Sequence, residues 1–498
     1  MSSARWWLTT LSLLVAGAVN RVPRFAREPS RLLPPLPHKP WQARLGLGVR
    51  LLADNKEALA VRLALIEAAS SSIDAQYYQW RVDTSGKLLL AALLDAADRG
   101  VRVRLLIDDI HTDDDPLIAR LNAHANIQIR LFNPFGSRVL TPITRPLEWL
   151  WDFSRANHRM HNKALVVDGE VVVLGGRNVG DEYFGLHPRR NFLDLDLLAV
   201  GEVALEVGQA FDLFYNSQWA VPVTRLIALR PLRIEARMAF RKLHDFWDKP
   251  QCQALLRSLP KGVLDKPLLP GTMQVLFDQP SKIHPLRRKR RRGGSHTALV
   301  LARLARETSS DLLVVSPYLV PSAEIIALMG VLCGRGVQNR ILTNSLAAND
   351  VVLAHTGYAA QRQAMLSAGV GLYELAPDAE LPGGKEAGSS SSLHAKLILY
   401  DRRRLYLGTF NLDPRSIFIN TEMGLLLDSP ELVSALEDWV QGYLGGEQSW
   451  QPDFSGTRLL WRRCQEQSVW SSSVEPQASL WRRALARVLS WLPVRSQL

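Results

Sequence analysis

The stretch His161-Asn162-Lys163-Ala164-Leu165-Val166-Val167-Asp168 returns, with His, Lys and Asp at the same offsets, as His394-Ala395-Lys396-Leu397-Ile398-Leu399-Tyr400-Asp401. A pattern kept twice in one chain implies a duplicated unit, and it limits the folds open to the sequence more than any bulk property does. Each copy is followed by a short apolar run, a glycine and then an asparagine: Gly175-Gly176-Arg177-Asn178 and Gly408-Thr409-Phe410-Asn411. Strand residues two apart share a face, so His161 and Lys163 point the same way, as do His394 and Lys396. Asp168 lies at an odd offset from His161 and opens Asp168-Gly169, a strong hairpin signal between two apolar runs. Asp168 and Asp401 therefore read as organisers of the turn and of the Lys/His scaffold, not as proton carriers.

The flanking sequence alternates helical and strand-like spacing. In the first half, helical patterns cover 54–70, 85–99 and 116–123, and apolar β-rich runs cover 73–80, 101–107 and 127–132. This strand–helix–strand order predicts a largely parallel sheet. The second half repeats it, with helices over 296–308, 323–335 and 358–368 and strands over 312–319, 338–343 and 370–375. We therefore expect a first domain over 45–262 and a second over 263–450, packed face to face about a pseudo-twofold axis. A Gly/Ser-rich stretch, 383–392, reads as a flexible loop before the second motif.

A further strand after each hairpin carries carboxylates: Asp194 and Asp196 in the first half, Glu422 in the second. Matching 194–200 with 422–428 makes Asp194 the better counterpart of Glu422. A carboxylate behind an imidazole fixes its tautomer and stabilises its cation. Two such histidines can handle a phosphodiester without a cofactor or metal. One neutral imidazole attacks phosphorus; the other, protonated, serves the leaving alkoxide. Lys163, Lys396, Asn178 and Asn411 would clamp the non-bridging oxygens. His158 and His161, three apart on a strand, face opposite ways, and Lys163 would repel a cation, which argues against a metal pair. Asp108, Asp109 and Asp113 to Asp115 read as a solvated loop after a strand.

The repeated HxKxxxxD with its downstream Gly-x-x-Asn resembles the phospholipase D superfamily pattern. Gln76-Tyr77-Tyr78, residues 102–109, residues 175–184, Ser316-Pro317-Tyr318, Ala348-Asn349-Asp350-Val351 and residues 411–416 are similar to the bacterial cardiolipin synthase C branch. The resemblance covers roughly residues 45 to 450. It implies a duplicated α/β fold of two mixed-sheet lobes with the active site between them. It also implies transfer of a phosphatidyl group to phosphatidylglycerol, giving cardiolipin, with His161 as nucleophile and His394 as acid/base. Phosphatidylethanolamine is a further candidate substrate. A phospholipase D that hydrolyses phospholipids shares the same chemistry, and the sequence leaves that alternative open.

A net charge of +12 with a pI near 9.8 suits anionic partners: lipid, nucleic acid or phosphate esters. An apolar run over 6–19, followed by a Pro/Arg-rich linker over 23–40, speaks against a nuclease. The run is shorter than the ~20 residues that span a bilayer, and an interfacial anchor and a signal peptide remain equal readings. Within the Trp/Arg-rich segment 451–498, residues 480–492 put Trp481, Leu485, Val488 and Leu492 opposite Arg482, Arg483 and Arg487. That pattern is an amphipathic cationic helix, suited to a lipid interface or to docking on the protein itself. The six-residue run Arg287 to Arg292 could attract headgroups or do nothing. Trp149, Trp151 and Phe153 either line an acyl-chain entrance or pack the lobe. A peripheral or N-terminally anchored monomer at the bacterial inner membrane is expected, since one chain supplies both half-sites.

Overall fold

The computed structural model describes residues 41–111, 114–138, 141–227, 231–283, 295–455, 458–465 and 468–492. The apolar run 6–19, the linker 23–40, Asp113 and the basic run Arg287 to Arg292 lie outside the described residues.

The described residues form twenty strands, numbered in chain order. The first nine are β1 (Gly48–Leu52), β2 (Ser72–Tyr77), β3 (Arg102–Asp108), β4 (Ile127–Phe132), β5 (Ala164–Val167), β6 (Val171–Gly175), β7 (Arg190–Leu193), β8 (Asp196–Val200) and β9 (Ala220–Pro222). The rest are β10 (Thr272–Phe277), β11 (Asp311–Val315), β12 (Gln338–Asn344), β13 (Gly371–Leu375), β14 (Ser390–Leu393), β15 (Leu397–Tyr400), β16 (Arg404–Gly408), β17 (Met423–Asp428), β18 (Ser449–Ser455), β19 (Arg458–Gln465) and β20 (Ser468–Ser472).

One sheet runs β1-β8-β6-β5-β2-β3-β4-β9 and the other β10-β17-β16-β15-β11-β12-β13-β18-β19-β20. The first eight positions match strand for strand, so the duplication extends to the topology. Only β2-β3-β4 and β11-β12-β13 run parallel; every other pairing in the two sheets is antiparallel. This corrects the largely parallel sheet read from the sequence. Helical crossovers build only the three strands before each motif, whereas the hairpin behind each motif must reverse the chain.

Local signals explain the crossovers. Helix Asn55–Ala68 starts where the Asp54 side chain accepts from Glu57 N, and helix Thr84–Asp98 where Asp83 accepts from Gly86 N. Gly100, at φ 96°, ends the latter. Helix Val352–Ser367 starts earlier than the spacing suggests, because Gly357 in its interior weakens the pattern.

The two lobes share a core. Val166, Val172, Leu174 and Leu197 from the first sheet form one buried cluster with Leu313, Leu397, Leu407 and Leu425 from the second. This face-to-face packing puts the starts of β5 and β15 at the seam. The stretch expected to be a flexible loop, 383–392, departs from that reading. Its end is β14, whose Ser391 and Ser392 are fully buried and which pairs in parallel with β7 of the other lobe. Beyond 448 the chain also adds β18 to β20 to the second sheet, where the sequence suggested only an amphipathic segment.

Candidate active site

Each motif begins just before a strand and ends in a tight turn. In the first, Asp168 and Gly169 both have positive φ (55° and 72°), and Glu170 N donates to Val167 O at 3.1 Å. In the second, Asp401 and Arg402 take the same conformation (53° and 51°), and Arg403 N donates to Tyr400 O at 3.1 Å. Two left-handed central residues are what a twisted two-residue hairpin needs. The Asp168 carboxylate accepts from the backbone N–H groups of Ser70, Ser71 and Ser72 and from Trp41 Nε1. Asp401 accepts from those of Ser309, Ser310 and Asp311. Both aspartates thus tie the turn to the start of the neighbouring strand, at the end of β5 or β15 remote from the histidine.

At the other end, each motif is strapped to the opposite lobe. His161 N donates to Thr421 O at 3.0 Å, and His394 N donates to Leu193 O at 2.8 Å. Asp194 and Glu422 come next in those two straps. Strand register explains why these two match: Gly175 pairs with Asp196 and Gly408 with Gly424, so each carboxylate sits two residues earlier. Nδ1 of His161 lies 2.9 Å from Oε2 of Glu422, and Nδ1 of His394 lies 2.6 Å from Oδ2 of Asp194. The pairing is therefore crossed between lobes. Asp196 has other partners, Arg62 at 2.8 Å and Arg177 at 3.3 Å. Gly176 leaves room for this arrangement, since a Cβ there would meet Asp194 Oδ1 at 2.0 Å. In the second lobe Thr409 takes the corresponding place and its hydroxyl donates to Glu422.

With Nδ1 engaged, Nε2 is the nitrogen left for a ligand on each ring. His161 and His394 line one cavity of about 330 Å³ together with Asn178 and Asn411. Lys163 and Lys396 are fully buried beside it; Lys163 Nζ donates to His161 O at 2.7 Å, and Lys396 Nζ donates to His394 O. Asn178 Nδ2 donates to the Tyr183 hydroxyl at 2.7 Å, while the Oδ1 atoms of Asn178 and Asn411 have no hydrogen-bond partner among the described residues.

Sequence reasoning did not single out the aromatic walls. Tyr78 packs edge-on against His161 (ring centroids 5.1 Å apart), and Tyr183 and Phe192 flank His394 at 5.1 and 4.9 Å. Tyr318, Asp350, Glu182, Arg81, Asp413 and Arg415 complete much of the lining. Tyr78, Tyr318, Asp350 and Arg415 lie within the stretches that carry the family resemblance, which was the available signal. Asp108 and Asp109 are not in a solvated loop. Both are buried; Asp108 accepts from Met160 N at 2.9 Å and from Arg159 at 3.3 Å, fixing the residue before His161. His158 turns back to Ser154 O at 2.5 Å, away from His161.

Burial, reinforced by Lys163 and opposed by Glu422, holds the His161 pKa down at about 4. Burial and then Lys396 lower that of His394. Burial also lowers Lys396 to about 8, and burial with the charge of Lys396 holds Lys163 well below the ordinary lysine value. Burial alone would raise Asp194, but His394 and Lys396 outweigh it and hold it at about 2. At neutral pH these shifts keep the two imidazoles neutral and Asp194 and Glu422 charged.

Residues 63–200 and 301–444 match the family described as cardiolipin synthase, PLD-like domain. The chain is 36% identical over 491 residues to cardiolipin synthase C of Escherichia coli (strain K12), a similarity covering 95% of this chain and 99% of that one. It is 31% identical over 461 residues to an uncharacterized protein of Helicobacter pylori, covering 89% and 88%. The crystal structure of phosphatidylserine synthase from Haemophilus influenzae Rd KW20 shares the fold, with a TM-score of 0.58 at 15% identity over 91% of this chain and 95% of that one. The duplicated topology, the paired motifs and these similarities lead to one assignment: the chain belongs to the cardiolipin synthase family of phospholipase D-like proteins.

Proposed function

We propose that this protein is a phosphatidyltransferase that forms cardiolipin from phosphatidylglycerol at a bacterial membrane surface. The observation that carries this reading is the crossed pairing, His161 with Glu422 and His394 with Asp194, around a single cavity. Nε2 of His161 attacks phosphorus as the P–O bond to the leaving alkoxide breaks, and His394 gives that alkoxide its proton. His394 then removes the proton from the glycerol hydroxyl of phosphatidylglycerol. The resulting alkoxide attacks phosphorus, breaks the P–N bond and releases cardiolipin.

Lys163, Lys396, Asn178 and Asn411 hold the non-bridging oxygens, and Glu422 and Asp194 stabilise whichever imidazole is cationic. Burial and Lys396 hold the His394 pKa below its ordinary value. The phosphodiester anion offsets the two lysines, so binding brings in the proton that the first step spends. Asp168 and Asp401 act on the scaffold only. One chain supplies both half-sites, which supports a monomer.

The test is to incubate the protein with labelled phosphatidylglycerol and phosphatidylethanolamine in the presence of EDTA and to resolve the lipids. Cardiolipin supports the proposal, and phosphatidic acid alone identifies a hydrolase. DNA cleavage without any lipid product identifies a nuclease.

A further inference from the structure

The C-terminal helix Leu480–Leu489 is docked through Arg482 and Arg483, both half-buried. Arg482 donates through Nε to Leu346 O at 2.6 Å and through Nη2 to Asn349 O, and Arg483 Nε donates to Glu475 O at 3.1 Å. Glu475 is itself fixed by Arg362 at 2.9 Å. The apolar side faces outward: Trp481 is 86% exposed, Trp491 just beyond the helix 79%, and Leu480, Leu485 and Val488 are exposed too. A helix that only packed on its own protein would turn the other way, with apolar residues in and arginines out.

The attachment point is the rim of the cavity. Asn349 precedes Asp350 and Val351, which line it, and Val351 is also exposed. The first lobe carries a counterpart. Helix Thr141–Trp151 is held by Glu148, which accepts from Gly136 N at 2.9 Å and from Arg155. Arg138, just before the helix, pairs with Asp109 at 2.9 Å, and Asp109 begins the short turn that ends at the cavity residue His111. This helix also turns its apolar residues out, with Leu150 76% and Trp151 77% exposed beside Ile143 and Leu147. One apolar helix face thus stands on each lobe, each tied within two residues of a cavity-lining residue.

The cavity itself, at about 330 Å³, is at the small end of ligand pockets and takes a phosphodiester and its headgroup, not acyl chains. The chains of a phospholipid bound there must lie outside, at the mouth. We infer that the two outward apolar faces, Ile143/Leu147/Leu150/Trp151 on the first lobe and Leu480/Trp481/Leu485/Val488/Trp491 on the second, seat the cavity mouth on a lipid bilayer. Exposed Trp and Leu beside the exposed Arg487 are the composition that sits at an anionic lipid interface. Substrates then enter by their headgroups while their chains stay in the membrane. The inference deepens the proposed lipid reaction and rests on it for the substrate's identity, not for the surface itself.

The test replaces Leu150, Trp151, Trp481, Leu485 and Trp491 with serine, separately by lobe and together. Sedimentation with phosphatidylglycerol-containing vesicles and turnover on those vesicles are compared with turnover on a short-chain, monomerically dissolved phosphatidylglycerol. The combined variant should lose vesicle binding and vesicle turnover by at least about ten-fold, each lobe's variant should lose part, and turnover on the monomeric lipid should persist. Unchanged vesicle binding by a combined variant with wild-type circular dichroism would overturn the inference. So would a dimer of the wild type that the substitutions dissociate, because the faces would then meet a second copy. If wild type turns over neither lipid yet binds vesicles in a way these residues control, the docking surface stands and the proposed reaction falls.

Discussion

Glu422 sits 2.9 Å from Nδ1 of His161, a residue 261 positions earlier and in the other lobe. The carboxylate beside each imidazole is thus supplied by the opposite half of the duplication, so neither lobe holds a complete histidine–carboxylate pair. Replacing Glu422 with Gln or Asp194 with Asn keeps the shape but removes the charge behind the ring. Each should lower turnover on the order of 100-fold to 10,000-fold with the fold intact. The double variant His161→Ala/Glu422→Gln should be no slower than His161→Ala alone, as groups acting as a unit are not additive. Steady-state rates on labelled lipid check both statements; a clearly additive loss would separate the two residues.

The two histidines should differ in what they can trap. On the proposed roles, His394→Ala retains the nucleophile and lacks the acid, so a substrate with a good leaving group should phosphorylate it and stall. Peptide mapping should place the acid-labile modification on His161. His161→Ala should show none, and modification at His394 would reverse the assigned roles.

Substrate binding should take up roughly one proton near pH 7, because burial and Lys396 lower the His394 pKa and a phosphodiester anion beside the ring favours its cation. Titration calorimetry of a non-hydrolysable phosphodiester in buffers of different ionisation enthalpy reads this directly. His394→Ala should abolish the buffer dependence.

Two neighbouring carboxylates should separate activity from stability. Asp196→Asn leaves Arg62 and Arg177 buried with only part of their counter-charge, and should cost on the order of 3–5 kcal/mol in denaturant unfolding. Asp194→Asn should cost far less stability and far more activity. Equal effects of the two would mean that strand register does not divide their tasks.

Acid should destabilise the protein through His161. Its folded pKa of about 4 lies below the unfolded value of about 6.5, so between these the unfolded chain binds a proton that the folded chain refuses. Stability therefore rises with pH across that window and is lost as pH falls through it, by up to ~3 kcal/mol. The melting temperature of His161→Gln should vary less between pH 6.5 and 4 than that of wild type.

The sequence alone determined the duplication, the residue types at each half-site, the hairpin turns and the correspondence of Asp194 with Glu422. Each is written in offsets of a few residues, where strand and turn geometry leaves little freedom. It also marked most crossover helices and strands, though helical crossovers hid the antiparallel majority of each sheet. Only the tertiary structure decided that the carboxylates cross between lobes, that Tyr78, Tyr183 and Phe192 wall the cavity, and that Asp108 and Asp109 are buried supports. It also decided that 383–392 ends in a buried interlobe strand, and that Arg482 and Arg483 of the last helix turn inward. Most of these depend on partners distant in the chain, up to 261 residues for His161 and Glu422, brought together by two apolar sheet faces that collapse onto one another, and no local periodicity encodes which side chains then meet.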